Sequence, residues 1–383
     1  MKKKYSSTLV IDASRNKSGG AISYLKNFIK YLNLKNTNIK KIIIFSQKNI
    51  LNQIPNKPFV IKYSHPFLEM NIFFQIIWQL IILPIYLKKN KIDILYSTDS
   101  STFCNFSPSI VFNQDILSFD NNVLNKIPLG MEKIRLYLIK FLQIRSMNNA
   151  NMVIFLSKYT KNIISKYLKQ KINSKVIYHG IEDDLKILGK KNIINTSWDY
   201  RLKKKINIIY VSPLFLYKNH ITVVKAYSRI KKKYNNLDIK FVGKYKHNLK
   251  LFKKILKENS SINERNFTGE LKRKDVIKIL TKSDIFVFAS SAETFGITLL
   301  EGMAIGMPII CSNKSSLPEI LKNGGLYFNP KNHLQLSKKI ELLIRNKKLR
   351  KTKSEQSKKI ALKFSWENNS NQFCNLIDKL IKN

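Results

Sequence analysis

Cysteine is scarce in this chain, which has three cysteines in 383 residues. Cys104, Cys311 and Cys374 lie far apart, are odd in number and form no C-x-x-C pair. Disulfide-stapled domains and structural zinc sites both need paired or clustered cysteines. The sequence therefore indicates neither kind of site and is typical of a protein in a reducing cytoplasm.

Long hydrophobic runs are also lacking. The longest nearly apolar segment, residues 72–87, contains Gln75, Gln79 and Pro84 and is shorter than the roughly 20 residues of a membrane-spanning helix. Two interpretations of it stay open: a core helix, or a helix with one face in a bilayer interface. The N-terminal apolar run is too short for a signal peptide and predicts a strand, so we expect no export.

Acidic residues are few: 24 Asp and Glu face 69 Lys and Arg, a net charge of +45. Such an excess is typical of nucleic-acid-binding proteins, which bind DNA or RNA with salt-sensitive affinity. Here both halves share it, because residues 1–200 hold 30 basic and 11 acidic side chains and residues 201–383 hold 39 and 13. We interpret most of it as a Lys-rich compositional background and expect no nucleic-acid partner. A surface this basic should attract anionic lipid headgroups, which favours peripheral residence on the inner face of the cytoplasmic membrane.

Short apolar runs alternate with helical segments in both halves of the chain. This alternation predicts α/β domains with mostly parallel sheets, because parallel strands need crossover connections. The length fits two domains. The predicted strands are 8–14, 40–46, 92–97, 109–115, 150–157, 175–180, 206–212, 237–243, 284–290 and 307–312, and the clearest helices are 21–32, 131–147 and 364–382.

The domain boundaries follow from a polar stretch at 182–205, which has mixed charges and few apolar periodicities. We predict an N-terminal domain at 1–190, a linker at 191–205, a C-terminal domain at 206–365 and a final helix at 366–383. Both domains are expected to be Rossmann-like.

The segment ETFGITLLEGMAIG places two carboxylates, Glu293 and Glu301, eight positions apart around Gly296. A buried strand precedes it and a Gly-Met-Pro strand start follows, so Glu293 is predicted at the carboxyl end of a parallel strand, where such sheets bind ligands. A helix that begins at Gly296 can hold a diphosphate on its first amide groups. Glu301 can then accept hydrogen bonds from ribose hydroxyls, which leaves Glu293 free for a sugar. By spacing alone the pair would be an ordinary loop charge and an exposed helix residue.

This segment closely resembles the donor-site motif of glycosyltransferase family 4, whose members are retaining enzymes of the GT-B fold. The resemblance implies two Rossmann-like domains facing across a cleft, with the acceptor in the first and a nucleotide-sugar in the second. It implies that Glu293 contacts the donor sugar and Glu301 the ribose. It also favours the core interpretation of residues 72–87, and implies that the last helix crosses back to pack on the first domain.

Lys218, in YVSPLFLYKNH, matches the family's Lys that pairs with the donor diphosphate. Ser212-Pro213 stands where the family usually has Gly-Arg, so the second cation is missing from its usual place. Thr268-Gly269 resembles the loop whose backbone meets the nucleobase. Gly19-Gly20 resembles the glycine pair that approaches donor phosphate and acceptor, although any tight turn would use such a pair.

Asp115, at the end of the predicted strand 109–115, lies where relatives often carry a His or Asp near the acceptor. It is a candidate to orient the acceptor hydroxyl, and a helix or turn cap is the alternative. The candidate catalytic residues are thus Glu293, Lys218 and Asp115. The candidate donor-binding residues are Gly19, Gly20, Ser212, Lys218, Thr268, Gly269, Glu293, Thr294, Phe295, Gly296, Ile297 and Glu301.

The expected reaction moves a hexose from a nucleotide-sugar to an acceptor hydroxyl on a lipid-linked or cell-surface glycan, with retention by front-face displacement. No cofactor or metal is expected, since the chain has no D-x-D motif. GDP-mannose, UDP-glucose and UDP-N-acetylhexosamines all fit as donors. The alternatives are a soluble GT-B enzyme, such as a sucrose-type synthase or a nucleotide-sugar epimerase, and a basic nucleic-acid-binding protein.

Overall fold

The structure, a computed structural model, describes residues 7–382 apart from 17–18, 36, 126, 128, 170–171 and 192. It divides into two compact units, here the first and second domains. The first comprises the chain up to Gly180 together with the residues from Ser365 onward, and the second comprises Ile181–Phe364.

The first domain contains a seven-stranded parallel sheet in the order β3-β2-β1-β4-β5-β6-β7. Its strands are β1 Ser7–Asp12, β2 Ile39–Phe45, β3 Val60–Tyr63, β4 Ile94–Ser97, β5 Ser109–Asn113, β6 Met152–Phe155 and β7 Ser174–Val176. Its helices, up to the end of this first stretch of chain, are α1 Gly19–Tyr31, α2 Lys48–Leu51, α3 Pro66–Glu69, α4 Ile72–Ile77, α5 Leu83–Lys89, α6 Asn121–Leu124, α7 Met131–Asn149 and α8 Lys158–Ile164. A π-helical turn, Trp78–Ile82, joins α4 to α5.

The second domain contains a five-stranded parallel sheet in the order β12-β11-β10-β8-β9. Its strands are β8 Ile206–Val211, β9 Leu237–Val242, β10 Ile285–Phe288, β11 Ile309–Ser312 and β12 Leu326–Phe328. Its helices are α9 Asp183–Lys190, α10 His220–Lys231, α11 Leu249–Glu258, α12 Arg273–Thr281, α13 Ile297–Ala304, α14 Leu317–Leu321, α15 His333–Arg345 and α16 Lys347–Ala361.

The central strands are buried along their whole length, as continuous apolar runs in a parallel sheet require. Every residue of β4, β5, β10 and β11 is buried. Two strands, β3 and β12, were missed in the sequence. Both are sheet edges, and they are only four and three residues long, so neither produces a clear apolar run.

The predicted boundary at residue 190 and the predicted linker at 191–205 differ from the structure. Helix α9 packs in the second domain, where a Cβ on Gly189 would lie 2.2 Å from the carbonyl oxygen of Ala304. Trp198 is 6% exposed and belongs to the second-domain core. The guanidinium of the fully buried Arg350 stacks on its ring at 3.5 Å. The polar composition of residues 191–205 gave no sign of this packing, because a single buried Trp holds the segment to the core without producing an apolar run.

The last helix, α17 (Trp366–Lys382), belongs to the first domain. Phe373 packs edge-on against Phe28 of α1, with ring centroids 4.7 Å apart. The Asn33 N–H donates to Ser370 Oγ at 3.2 Å. Gly180 makes this return possible, because a Cβ there would lie 2.0 Å from the Trp366 nitrogen.

Candidate active site

The candidate site of the second domain lies where its strand order reverses. The chain runs outward from β8 to β9 on one side and from β10 to β12 on the other, so the loops after β8 and β10 diverge from the same point. Parallel α/β sheets bind ligands at such switch points, beyond the carboxyl ends of the strands. Lys218 follows β8 and Glu293 follows β10.

Lys218 and Glu293 form an ion pair between Nζ and Oε1. Their side chains are 12% and 16% exposed, so both charges are largely withdrawn from water. The sequence analysis expected Glu293 to be free, and in this structure it is not. A partly desolvated pair of opposite charges persists because each charge lacks enough water to be stable alone.

Asn219 holds the two diverging loops together. Its backbone is left-handed (φ 54°, ψ 39°), a conformation that Asn tolerates better than most residues. Its Nδ2 donates to the carbonyl oxygen of Ala289 at 2.8 Å and to Ser291 Oγ at 2.7 Å. This clamp fixes the position of Lys218 opposite the β10 loop, and sequence reasoning did not assign it a role.

Gly296 begins α13 in a left-handed conformation, with φ 91°. A Cβ there would be strained by that φ and would lie 3.1 Å from Leu317 Cδ2. Phe295 is buried and packs edge-on against Phe364 at 5.7 Å. Thr294 and Ile297 are half-buried on either side of this turn. The helix start has no side-chain cap within the described residues, so its first amides keep their capacity to bind an anion.

Glu301 is 8% exposed in the middle of α13. Arg273 of α12 pairs with it through Nη1 and with Glu182 through Nη2 at 3.0 Å. Burial raises the pKa of Glu301, and the Arg273 charge opposes that shift. The sequence analysis placed Glu301 but missed Arg273 and Glu182, because they are remote in sequence and belong to no motif.

The remaining second-domain candidates lie beside β9. The Ser212 N–H donates to the Val242 carbonyl at 2.7 Å, and Ser212 Oγ donates to the Pro213 carbonyl at 3.1 Å. The Thr268 N–H continues the edge of β9 by donating to the Phe241 carbonyl at 3.0 Å. Gly269 is left-handed, with φ 75°. The hydroxyl groups of Ser212 and Thr268 both donate to backbone carbonyls of these loops.

In the first domain, the loops after β1, β4 and β5 line a pocket of about 500 Å³. We call it the acceptor-side pocket, after the role that the sequence analysis predicts for the first domain. It lies at the switch point of that sheet, since β1 and β4 are neighbours. Asp115 lines it and also accepts the Leu117 N–H at 2.9 Å, so the capping and pocket interpretations both apply. Burial raises the pKa of Asp115.

Three other polar residues of this pocket were missed in the sequence. Arg15 pairs with Asp99, with Nε and Oδ2 3.2 Å apart. Asn16 is 3% exposed, and its Nδ2 has no hydrogen-bond partner within the described part of the chain. A buried donor left unpaired is costly, which marks Asn16 as a group that a ligand can satisfy.

The structure shows where Gly19 and Gly20 lie, while their predicted role in donor binding stays a prediction. Both lie in the first turn of α1, not in a loop, and both are exposed. A Cβ on either would meet nothing within 4 Å. The structure of this chain therefore gives no steric reason for glycine at these positions.

As for metals, no group of three or more His, Cys, Asp and Glu among the described residues is placed to hold an ion.

Comparison with known proteins adds to this geometry. The sequence model of the family described as glycosyl transferases group 1 matches residues 193–360. An uncharacterized glycosyltransferase of Methanocaldococcus jannaschii is 30% identical over 221 residues, which cover 57% of each chain. The N,N'-diacetylbacillosaminyl-diphospho-undecaprenol alpha-1,3-N-acetylgalactosaminyltransferase of Campylobacter jejuni is 34% identical over 113 residues, 29% of this chain and 30% of that protein. The matched stretches thus span 57% and 30% of the length of these two curated relatives.

Among solved structures, Anabaena HepE in complex with UDP and glucose has a TM-score of 0.71 at 18% identity, covering 96% of this chain and 98% of that one. Identity this low shows the fold alone. The resemblance drawn from the sequence is therefore confirmed: this chain is similar to the group 1 glycosyltransferases over residues 193–360, and its two α/β domains have the GT-B fold.

Proposed function

We propose that this protein is a retaining glycosyltransferase that transfers a hexose from a nucleotide-sugar to an acceptor hydroxyl. The observation that carries the proposal is the Lys218–Glu293 ion pair at the switch point of the second sheet. It lies next in sequence to the left-handed Gly296 and the α13 start. A cation, a carboxylate and a helix start at one switch point suit a diphosphate joined to a sugar.

Donor binding would replace the present ion-pair partners of Lys218 and Glu293 with groups of the donor. Lys218 and Glu293 neutralise each other in the ion pair. A nucleotide-sugar supplies a diphosphate for the ammonium group and sugar hydroxyls for the carboxylate, so each charge keeps a partner of suitable polarity. The α13 amides would add to the stabilisation of the leaving diphosphate. Asn219 holds the geometry in which this exchange occurs.

Glu301 would accept hydrogen bonds from the ribose hydroxyls. Arg273 already pairs with Glu301 and favours the charged carboxylate against the effect of burial, and the carboxylate oxygens retain lone pairs for a second partner. In the chemical step, the bond between C1 of the sugar and the phosphate oxygen breaks. The acceptor oxygen bonds to C1 from the same face, and its proton passes to the leaving phosphate. Trapping a covalent sugar on Glu293 would contradict this mechanism.

The acceptor is proposed to be a lipid-linked or cell-surface glycan. The Campylobacter relative is named for transfer to a diphospho-undecaprenol substrate, and an O-antigen chain mannosyltransferase of Escherichia coli is 31% identical over 109 residues. HepE binds UDP and glucose, which makes UDP-sugars the first donors to test. Asp115 and Asn16 in the acceptor-side pocket are the candidates to hold the acceptor.

The test is a set of thermal shifts with UDP, GDP, ADP and CMP on the wild type and on Glu301→Gln. A ligand at about 100 times its Kd stabilises the protein by about 2.7 kcal/mol. We expect one nucleotide to shift the wild type and to shift Glu301→Gln much less. Glu341→Gln, which alters a half-buried carboxylate on α15 of the same domain, should respond like the wild type. Folded protein that responds to no nucleotide would refute the proposal.

A further inference from the structure

Helix α7 of the first domain turns an apolar stripe toward solvent. The side chains of this α7 stripe are 53–82% exposed and recur every three or four positions, so they share one face of the helix. They are Met131, Ile134, Tyr137, Leu138 and Phe141. Surface helices of soluble domains usually bury such a stripe. The buried side of α7 contains Leu136 and Met147 together with Gln143 and Ser146, so this helix has apolar side chains both toward its domain and toward solvent.

A second apolar stripe lies on the α4–α5 segment. Phe73, Leu80, Ile81 and Ile85 are 48–62% exposed, and we call them the α4–α5 stripe. By length and mean hydropathy alone, Ile72–Lys89 is long and apolar enough to cross a membrane. Its opposite face, however, packs in the first-domain core through Trp78, Leu83 and Leu87. The segment is apolar on both faces: one is fixed to the domain and the other is turned outward.

The two stripes belong to helices that line the same cavity. Ile72 at the start of α4 and Arg135 and Ile139 of α7 all line the acceptor-side pocket, together with Asp115. Whatever covers these apolar side chains would therefore lie beside the mouth of that pocket. An exposed apolar surface of this extent marks an interaction site.

The basic residues beside the two stripes indicate the kind of partner that fits them. Lys133, Arg135, Lys140 and Arg145 are interspersed in α7, with Glu132 as its one acidic residue. Three further lysines (Lys88, Lys89 and Lys91) end the α4–α5 segment, and no acidic residue occurs between residues 70 and 92. A second copy of a chain with net charge +45 would be repelled. A surface of apolar side chains set among cations instead fits the interface of an anionic bilayer.

We propose that the α7 stripe and the α4–α5 stripe dock the first domain onto an anionic lipid bilayer, with the acceptor-side pocket opening at the headgroup level. The apolar side chains enter the interface and the lysines and arginines contact the headgroups. A lipid-linked acceptor would then reach the pocket without leaving the membrane. Only this last part of the inference depends on the proposed glycosyltransferase function.

Vesicle sedimentation tests the docking surface. The purified full chain is mixed with vesicles of phosphatidylcholine alone or of phosphatidylcholine with phosphatidylglycerol, at low and high salt. We expect binding to the anionic vesicles that weakens with salt, because exposed charges are screened beyond about 8 Å at physiological ionic strength. The triple variant Ile134→Glu/Leu138→Glu/Phe141→Glu should lower the vesicle affinity about tenfold or more.

A matched control removes three isolated apolar side chains of the second domain. Leu202, Leu249 and Leu362 are 85%, 51% and 57% exposed, and their replacement by Glu introduces the same three charges elsewhere. Vesicle binding should weaken much less in this control than in the stripe variant. Circular dichroism and the thermal shift with UDP verify that both variants are folded. They also distinguish the two proposals, because a stripe variant that loses vesicles but keeps the UDP shift tests docking alone.

Binding to neither kind of vesicle would overturn the proposal, as would an affinity for anionic vesicles that the stripe variant and the control reduce equally. Light scattering tests whether a second copy of the chain occupies this surface instead. A dimer that the stripe variant dissociates, in protein that binds no vesicles, would assign the surface to a second copy of the chain.

Discussion

The candidate sites of the two domains occupy the same topological position but are built differently. In the second domain, Lys218 and Glu293 lie in adjacent loops and pair with each other. In the first domain, the pocket draws on loops after three strands and contains Asn16 Nδ2, a buried donor with no partner among the residues that the structure describes. One site has its two charges matched to each other. The other contains a buried polar group to which a ligand can bind.

Under the proposed function, this difference corresponds to two tasks: binding a donor whose nucleoside diphosphate is constant, and binding an acceptor whose shape varies. A nucleoside diphosphate presents the same diphosphate and ribose whatever the sugar, so a short local motif can hold it. An acceptor varies in shape, and a pocket for it can be assembled from any residues that the fold brings to the sheet edge. We therefore expect second-domain substitutions to affect donor affinity and first-domain substitutions to leave it unchanged.

The largest expected effect is that of Lys218→Ala. Removing the cation opposite the leaving diphosphate should lower kcat/KM about 10²- to 10³-fold, because charge stabilisation at the leaving group dominates such transfers. The rate is measured by release of the nucleoside diphosphate. Lys233→Ala serves as control, since Lys233 pairs with Glu341 at an exposed position of the same domain. Equal rates for the two variants would remove Lys218 from the site.

Trp198→Ala tests the boundary between the domains. Because Trp198 is buried in the second-domain core, its truncation should lower the free energy of unfolding by about 3–5 kcal/mol. Lys204→Ala, an exposed neighbour, should stay within about 0.5 kcal/mol of the wild type. Urea denaturation measures both. A similarly small loss in Trp198→Ala would restore residues 191–205 to the role of a linker.

Asp115→Asn should lower kcat/KM for the acceptor about tenfold and leave the thermal shift with UDP unchanged. The amide oxygen can still accept the Leu117 N–H, so the turn should persist while the charged acceptor of a hydrogen bond is lost. Asp378→Asn, in α17, is the matched control for a first-domain carboxylate. An altered thermal shift with UDP in Asp115→Asn would contradict the proposed division of tasks between the two domains.

The smallest expected effect is on stability and depends on pH. Asp12 is 2% exposed at the end of β1, and burial raises its pKa above the ordinary 3.8 even though Ser14 and Gln79 donate hydrogen bonds to it. The folded state therefore binds this proton more tightly than the unfolded state does. The contribution of Asp12 to the free energy of unfolding should be largest below pH 3.8 and should fall as the pH rises through the raised value.

Asp12→Asn removes that titration. The stability of the variant relative to the wild type should increase as the pH rises from about 3.8, measured by denaturant unfolding at a series of pH values. Asp93→Asn is a matched substitution of a half-buried aspartate that also accepts a backbone N–H, from Thr8 at 2.7 Å. A difference between Asp12→Asn and the wild type that does not change with pH would show that the Asp12 carboxyl does not titrate differently in the two states.

Most of the central strands could be predicted from the sequence, because a parallel strand buried on both faces must be a continuous apolar run. The strand–turn–helix unit that contains Glu293, Gly296 and Glu301 could also be predicted, since its spacing is set by local geometry. The role of these residues in donor binding stays a prediction. Edge strands such as Val60–Tyr63 were missed, because a half-exposed edge tolerates polar residues and leaves no clear run.

The tertiary structure alone decided the partners of these residues. It paired Lys218 with Glu293 and Arg273 with Glu301, it put Trp198 into a core, and it turned the apolar face of α7 outward. The sequence by itself determined the central strands and the clearest helices, because their patterns depend on neighbours a few positions apart. Which charges meet, and which apolar faces remain uncovered, depends on residues tens or hundreds of positions apart, and only the folded chain brings those together.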